Sequence, residues 1–163
     1  MDQENLKIIT TIAENLLNKL DIKGTIISSL DDQNVVNLKI ETEESGILIG
    51  YHGETLYSLQ LIISLMVFRK LGAWTRLVLD VGDYRKRREA QLVLMAKNLA
   101  QRVKQTGQPV TMPYLTSGER RSVHLALTDE QDVVSKSEGE GDNRCLIIKS
   151  RNTPQLETPD DAK

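Results

Sequence analysis

Two glycines three positions apart, Gly50 and Gly53, separate an apolar run from a long amphipathic segment that ends at Leu71. Glycine adopts backbone angles that other residues avoid, and it has no side chain to keep a neighbouring molecule at a distance. The pair therefore predicts a tight turn between two helices. Such a turn is either a plain connection or a place where phosphate groups meet bare backbone amides, at the positive end of the following helix.

The residues before the turn predict a helix and then a β-hairpin. Apolar residues recur at spacings of three and four over Glu4 to Leu20, which indicates a helix with one buried stripe. The β-rich runs Thr25 to Ser29 and Val35 to Glu41 flank a cluster of turn formers. Because the second run alternates apolar and polar residues, we expect a sheet that is covered on one face.

A second pair of helices and a third strand follow. The pattern predicts a short helix over Glu43 to Ile49, the glycine turn, and a helix from Leu56 whose buried stripe includes Ile62 and Met66. Gly72 is placed to end that helix. Alternation over Arg76 to Val81 predicts a strand, so the predicted order of elements is αββααβ.

This order, with Gly-x-x-Gly between its last two helices, resembles a type II KH domain. The resemblance implies a three-stranded sheet with helices on one face, and a loop from Gly50 to Gly53 that holds about four nucleotides by their backbone. Members of the family commonly carry basic residues between the two glycines, whereas Tyr51 and His52 stand here. This loop therefore offers a ring for stacking and a titratable imidazole, but no permanent charge.

The second half of the chain predicts the order αβαββ. Asp83 is placed to cap a helix from Tyr84 to Gln105, since Asp is a common capping residue. The remaining patterns predict a strand over Val110 to Tyr114, a helix from a Thr-x-x-Glu capping box at Thr116 to Leu127, and antiparallel strands over Gln131 to Lys136 and Arg144 to Lys149. A segment with two prolines and several acids, 152–163, is predicted to be a disordered acidic tail.

The first turns of the long helix carry four consecutive cations, Arg85 to Arg88. Cations near a helix N-terminus are disfavoured by about 0.3 to 1 kcal/mol each. Either the nearby acids Asp80, Asp83 and Glu89 compensate for them, or a bound phosphate backbone does. The sequence leaves these two alternatives open.

A second motif lies in the predicted helix after Thr116. Arg120 and His124 are four residues apart and therefore on one face, one turn from each other. His124 is either a half-buried histidine bonded within the protein or a ligand-binding group. The run from Glu119 to His124 resembles the signature of a small single-stranded nucleic-acid-binding domain that is defined by its Arg-x-x-x-His pair.

A KH domain followed directly by that domain resembles the Jag family, whose members are also called SpoIIIJ-associated proteins or KhpB. The resemblance implies an α+β fold with a KH domain over 1–82 and a small α/β Arg-x-x-x-His domain over 83–151. It implies binding of single-stranded RNA, or of single-stranded DNA, and a post-transcriptional role linked to cell elongation or sporulation. It also implies association with a membrane insertase or with a small single-KH protein. The implied nucleic-acid-binding residues are Gly50, Tyr51, His52, Gly53, Arg85, Arg88, Arg120, Arg121 and His124.

The charge distribution agrees with a polyanionic partner, although the net charge of the chain is −2. Residues Arg69 to Arg121 hold twelve Lys and Arg against four acids, a net charge of +8, and the rest of the chain carries −10. A protein-interaction adaptor is the alternative, since acidic ends and a KH fold also suit a protein partner.

The other function classes have little support in the sequence. The chain has two histidines and one cysteine, Cys145, and we find no nucleophile elbow, no Walker loop for nucleotide phosphates and no metal-ligand cluster. We therefore expect no catalytic residues, no metal and no cofactor. A single cysteine, an acidic start and the lack of a long apolar run predict a cytoplasmic protein that does not span a membrane.

Overall fold

The computed structural model of the protein describes residues 3–151. The predicted acidic tail over 152–163 lies outside the described residues. The chain forms two compact units, the first ending at Arg87 and the second beginning at Arg88. The predicted domain boundary after residue 82 stays a prediction. No helix within the described range is both long enough and apolar enough to cross a bilayer.

The first unit has the predicted order αββααβ. Its elements are α1 (Gln3–Lys19), β1 (Thr25–Leu30), β2 (Val36–Glu41), α2 (Ser45–Ile49), α3 (Glu54–Leu71) and β3 (Leu77–Val81). The sheet has the strand order β1-β2-β3, with β1 antiparallel and β3 parallel to β2. In β2 and β3 buried residues alternate with half-buried ones, so one face of the sheet packs on the helices.

The buried stripe of α3 differs from the predicted one. The side chains that pack into the core are Leu56, Leu59, Ile63 and Val67. Ile62 is 44% exposed, because it lies about 100° around the helix from Ile63, which already faces the core. Met66 is half-buried. The end of the helix was predicted correctly: Gly72 has a φ of 73° and its N–H donates to the carbonyl oxygen of Phe68.

The second unit has the predicted order αβαββ. Its elements are α4 (Tyr84–Thr106), whose first residues precede the unit boundary, β4 (Val110–Met112), α5 (Ser117–Ala126), β5 (Val133–Glu138) and β6 (Cys145–Ser150). The strands form a second antiparallel sheet in the order β4-β6-β5. Its core joins one face of α4 to the sheet through a set of buried apolar residues that includes Leu92, Ala96, Val103, Val123, Leu146 and Ile148. The predicted α+β fold class is confirmed.

The start of α4 differs from the prediction that Asp83 caps it. The carboxylate of Asp80 accepts a hydrogen bond from the backbone N–H of Arg85 at 3.2 Å. Asp83 has a positive φ of 59°, and its carboxylate lies 3.0 Å from Lys39 Nζ. This hydrogen bond raises the pKa of Lys39. An acid three residues earlier therefore contacts the helix, because the turn after β3 directs Asp83 toward the sheet.

Candidate nucleic-acid interface

The start of α5 is fixed by the predicted capping box. Thr116 Oγ1 accepts from the backbone N–H of Glu119 at 3.3 Å, and Glu119 Oε2 accepts from the backbone N–H of Thr116 at 2.7 Å. These reciprocal bonds satisfy two backbone N–H groups at the helix start. They also fix the rotation of α5, so that Val123 is buried while Arg120 and His124 lie side by side next to β5.

Arg120 and His124 line one groove of about 400 Å³. Two more arginines reach it, Arg121 from α5 and Arg144 from the residue before β6. The remaining lining residues are Ser117, Leu125 and Ser137. Three arginines, two from α5 and one from the residue before β6, therefore line one concave surface, which we call the arginine groove. Guanidinium stays charged at every physiological pH and has a planar set of N–H donors that matches phosphate oxygens.

Arg120 and His124 are both anchored to their own unit. Arg120 Nη1 donates to the carbonyl oxygen of Leu115. His124 Nδ1 lies 2.7 Å from Ser135 Oγ, and His124 Nε2 lies 3.2 Å from Ser137 Oγ. A hydroxyl both donates and accepts, so the two serines satisfy both nitrogens of a neutral imidazole. Burial lowers the pKa of His124, and the positive charge of Arg120 lowers that pKa further.

Arg88 lies in the same unit but does not line the groove. Its Nε donates to Glu119 Oε1 at 2.8 Å, and the two side chains are only 13% and 10% exposed. The same carboxylate completes the capping box through its other oxygen. Arg88 therefore ties α4 to the start of α5, and removing one partner of such a buried pair leaves the other charge uncompensated.

The glycine turn of the first unit is a single 3₁₀ turn over Tyr51–Gly53. Gly50, His52 and Gly53 have φ angles of 68°, 50° and 91°, all in the left-handed region that favours glycine. Tyr51 is 61% exposed, and its ring centroid lies 4.1 Å from that of His52. Among the described residues, no side chain caps α3 at Gly53. The two rings therefore project to solvent beside an uncapped helix N-terminus.

The two glycines are required by the packing of the loop itself. A Cβ on Gly50 would overlap the side chain of Thr55, since it would lie only 2.7 Å from Thr55 Cβ. Gly53 is buried, and a Cβ there would lie 3.0 Å from Tyr84 Cε1 and 3.3 Å from Tyr57 Cε2. The rings of Tyr84 and Tyr57 therefore occupy the space that a side chain at position 53 would need.

Arg85 lies in the first unit and is bonded along the edge of β3. Its Nε donates to the carbonyl oxygen of Leu79 at 2.8 Å, and its Nη2 donates to Gln60 Oε1 at 2.8 Å. The same Gln60 oxygen accepts from the backbone N–H of Leu79 at 3.0 Å. The guanidinium lies over the ring of Tyr57, with its carbon 4.8 Å from the ring centroid. Neither predicted explanation of the arginine cluster accounts for these contacts, since Gln60 and a backbone carbonyl bind Arg85.

The structure thus divides the predicted site residues into three groups. Arg120, Arg121 and His124 share the arginine groove of the second unit, and the residues from Gly50 to Gly53 form the loop of the first. Arg85 and Arg88 are bonded inside their own units.

Sequence reasoning missed Arg144, Ser117 and Ser137 as groove residues. The only available signal was that Arg144 ends the acidic hairpin turn. Its position beside α5 depends on the register of β5 and β6, in which Ser137 pairs with Leu146.

Comparison with family models matches both units. The KhpA/KhpB KH domain matches residues 7–81, and the domain named after its Arg-x-x-x-His pair matches residues 90–150. The first match contains the glycine loop, and the second contains the arginine groove. The chain belongs to the KhpB family. We accordingly call the unit that ends at Arg87 the KH unit, and the unit that begins at Arg88 the Arg-x-x-x-His unit.

Several curated relatives are named RNA-binding protein KhpB. The chain is 38% identical to the one from Clostridium symbiosum over 118 residues, which cover 72% of this chain and 53% of the relative. It is 29% identical to the relative from Bacillus subtilis over 145 residues, which cover 88% of this chain and 67% of the relative. It is 27% identical to a relative from Streptococcus pneumoniae over 140 residues, which cover 86% of this chain and 42% of the relative. The chain spans about half the length of the curated relatives it matches.

Proposed function

We propose that this protein binds single-stranded RNA, with the arginine groove holding phosphates and the KH loop stacking on a base. The observation that carries the proposal is the convergence of Arg120, Arg121 and Arg144 on one groove. Neighbouring guanidinium groups repel one another, and a bound anion offsets this repulsion. Such a groove therefore favours a ligand with several negative charges, which can also accept charge-assisted hydrogen bonds. A nucleic-acid backbone supplies those charges in series.

The residues of the groove have different roles in this proposal. Arg121 and Arg144 bind phosphate oxygens directly, and Arg120 binds one while its Nη1 stays on the carbonyl of Leu115. His124 acts as a positioning residue, because both of its nitrogens are bonded to serines of β5. Arg88 supports the start of α5, the helix that carries two of the groove arginines, through its bond to Glu119.

The KH loop contributes stacking and no permanent charge. Tyr51 is the exposed ring best suited to a base, and stacking of this kind is tolerant of sequence. The uncapped N-terminus of α3 offers backbone N–H groups to a phosphate. Arg85 holds the edge of β3 and the ring of Tyr57, on which Gly53 packs.

The broader setting is proposed from the family. We assign the KH domain to 1–82 and the Arg-x-x-x-His domain to 83–151, and we place the protein in the cytoplasm as a post-transcriptional regulator linked to cell elongation or sporulation. A membrane insertase and a small single-KH protein are the protein partners that the resemblance favours. The names of the relatives support RNA as the ligand, since each is named an RNA-binding protein.

The direct test is fluorescence anisotropy with a labelled single-stranded RNA of mixed sequence, with its perfect duplex as competitor, at several salt concentrations. If three arginines each neutralise one phosphate, a plot of log Kd against log salt concentration should have a slope of about 2. The Kd should therefore rise roughly twentyfold between 50 and 200 mM salt. The duplex should compete weakly, because a paired strand hides its bases from Tyr51. Absence of binding at low salt would contradict the proposal and favour the protein-interaction adaptor.

A further inference from the structure

Strand β3 lies at one side of the sheet of the KH unit. Among the described residues it pairs with β2 alone, so its other side is a sheet edge. Val36 N–H donates to the carbonyl oxygen of Arg76, and Gly82 N–H donates to that of Ile40. Consecutive residues of a strand direct these groups to opposite sides, so the odd-numbered residues of β3 direct theirs to the edge. Unpaired groups on such an edge can bond to another molecule.

Three consecutive backbone groups on this edge are bonded to side chains. Gln60 Oε1 accepts from the N–H of Leu79 at 3.0 Å, and Arg85 Nε donates to the carbonyl oxygen of Leu79 at 2.8 Å. Asp80 Oδ1 accepts from the N–H of Val81 at 2.9 Å. One amide, one guanidinium and one carboxylate therefore cover the outer side of β3. We call these three side chains the edge clamp.

The members of the edge clamp also hold one another in place. Gln60 Oε1 accepts a second hydrogen bond, from Arg85 Nη2, at 2.8 Å. Asp80 Oδ1 accepts a second one from the backbone N–H of Arg85 at 3.2 Å. The guanidinium of Arg85 lies over the ring of Tyr57, and all four residues are half-buried. A molecule that displaced Gln60 or Arg85 from Leu79 would therefore also disturb the bond between the two side chains.

The edge clamp lies a short distance along α3 from the glycine loop. Gln60 follows Gly53 by two helical turns, about 10 Å along the helix axis. That distance is within the length of the four nucleotides that a Gly-x-x-Gly loop holds. Tyr57, which lies under the Arg85 guanidinium, is also one of the two rings next to Gly53. An RNA strand that is held by the loop and directed along α3 would therefore pass the edge of β3.

We propose that the edge clamp closes β3 to nucleobases, so that the KH unit holds single-stranded RNA without a base preference; this rests on the proposed RNA contact of the KH loop. The N–H and C=O of one strand residue offer a donor and an acceptor that can pair with the Watson–Crick edge of a base. Because Leu79 is bonded to Gln60 and Arg85, a base gains no hydrogen bond there that the free protein lacks. Stacking on Tyr51 remains, and stacking is tolerant of base identity.

The test is fluorescence anisotropy of the full chain with three labelled RNA homopolymers, oligo(A), oligo(C) and oligo(U). The wild type should bind the three with affinities within about threefold of one another. In Gln60→Ala, Leu79 N–H and Arg85 Nη2 lose their common acceptor, so two donors point to one open position. Of the three bases only cytosine has two neighbouring acceptors, O2 and N3, on its Watson–Crick edge. Oligo(C) should therefore gain at least about fivefold in affinity relative to the other two.

Two further variants serve as controls. Gln60→Glu keeps an oxygen acceptor for Leu79 N–H and Arg85 Nη2, so the ratios of its three affinities should equal those of the wild type. Gln33→Ala makes the same change as Gln60→Ala at an exposed position of the turn between β1 and β2, and should also leave the ratios unchanged.

Amide hydrogen exchange measures the edge clamp without RNA. Leu79 N–H should exchange at least about tenfold faster in Gln60→Ala than in the wild type, because its acceptor is removed. In Gln60→Glu its exchange should stay close to that of the wild type.

Several results would overturn the proposal. A wild type whose three affinities differ by more than about tenfold would do so by itself, since bases would then be read with the clamp in place. Equal homopolymer ratios in Gln60→Ala and the wild type would also do so, as would equal exchange of Leu79 N–H. Each of these results leaves the proposed function intact as long as the wild type binds RNA. A wild type that binds none of the three homopolymers would contradict the proposed function, and this inference with it.

Discussion

The KH loop and the arginine groove present two different surfaces to the RNA that we propose as their common ligand. The loop is made of strained backbone and two exposed rings, and its glycines are required by internal packing against Thr55 and Tyr84. The groove is lined by three arginines, of which Arg120 is held by a hydrogen bond to the carbonyl oxygen of Leu115. Permanent charge is therefore concentrated in the groove, and exposed aromatic surface in the loop. We expect their contributions to RNA binding to differ in salt dependence.

The largest effect should follow from removing two charges of the groove. In Arg121→Ala/Arg144→Ala, each lost phosphate contact should weaken single-stranded RNA binding by about tenfold, because charge-assisted hydrogen bonds to phosphate are strong. The salt slope should fall by about 1.4. Arg120 is left in place because it also bonds to Leu115. The measurement is anisotropy at several salt concentrations.

Two further variants complete this comparison. Lys97→Ala/Arg102→Ala removes the same charge from exposed positions of α4 that do not line the groove, and should change the affinity much less. Tyr51→Ala in the loop should weaken binding by roughly fivefold with an unchanged salt slope, since stacking releases no counterions. Equal losses and equal slopes for the groove and control pairs would mean that the groove is not where phosphates bind.

An intermediate effect is expected on the free energy of unfolding when one glycine of each unit is replaced by alanine. Gly53→Ala should destabilise the KH unit by about 1 to 3 kcal/mol, because its φ is 91° and its Cβ would press on Tyr84. Gly118→Ala, inside α5 with no atom near the new Cβ, should stabilise the Arg-x-x-x-His unit by roughly 0.5 kcal/mol. Urea unfolding followed by circular dichroism measures both. Unchanged stability of Gly53→Ala would show that the Tyr84 packing does not constrain the loop.

Local sequence patterns were sufficient to predict the order of elements in both units. Alternation in β2 and β3 and the capping box of α5 are encoded by residues that are neighbours in sequence, so each could be recognised without the fold. The Arg120 and His124 pair was found for the same reason, since one helical turn separates its members. The glycine spacing likewise predicted the turn and its position.

Contacts between distant residues could not be predicted in this way. Arg88 looked like a surface cation until α5 placed Glu119 beside it, 31 residues later. Arg85 looked similar until β3 and α3 supplied Leu79 and Gln60. Both arginines belong to the same basic run as their neighbours, and only tertiary packing distinguishes them. Ile62 was wrongly predicted to be buried. An apolar residue next to the core stripe gives the same sequence pattern whether its side chain is buried or exposed.

The smallest effect should be a pH dependence that arises from His124. Its ordinary pKa of 6.5 is lowered in the folded chain by burial and by Arg120. The unfolded chain therefore binds a proton at a higher pH than the folded chain does. The stability that neutral His124 supports is complete above about pH 6.5, and it decreases as the pH falls from there toward the lower folded pKa. Urea unfolding of the wild type should accordingly show a lower midpoint at about pH 5.5 than at about pH 7.5.

His124→Asn provides the control, since an amide can bond to Ser135 and Ser137 without titrating. Its unfolding midpoint should fall less than that of the wild type over the same pH range. RNA should act in the opposite direction, because phosphates in the groove favour the imidazolium and raise the pKa of His124. RNA affinity of the wild type should therefore increase as the pH falls, and that increase should be smaller in His124→Asn. The same pH dependence of unfolding in the two proteins would contradict a lowered pKa of His124 in the folded chain. The same pH dependence of RNA affinity would mean that His124 is not close enough to the bound phosphates to sense them.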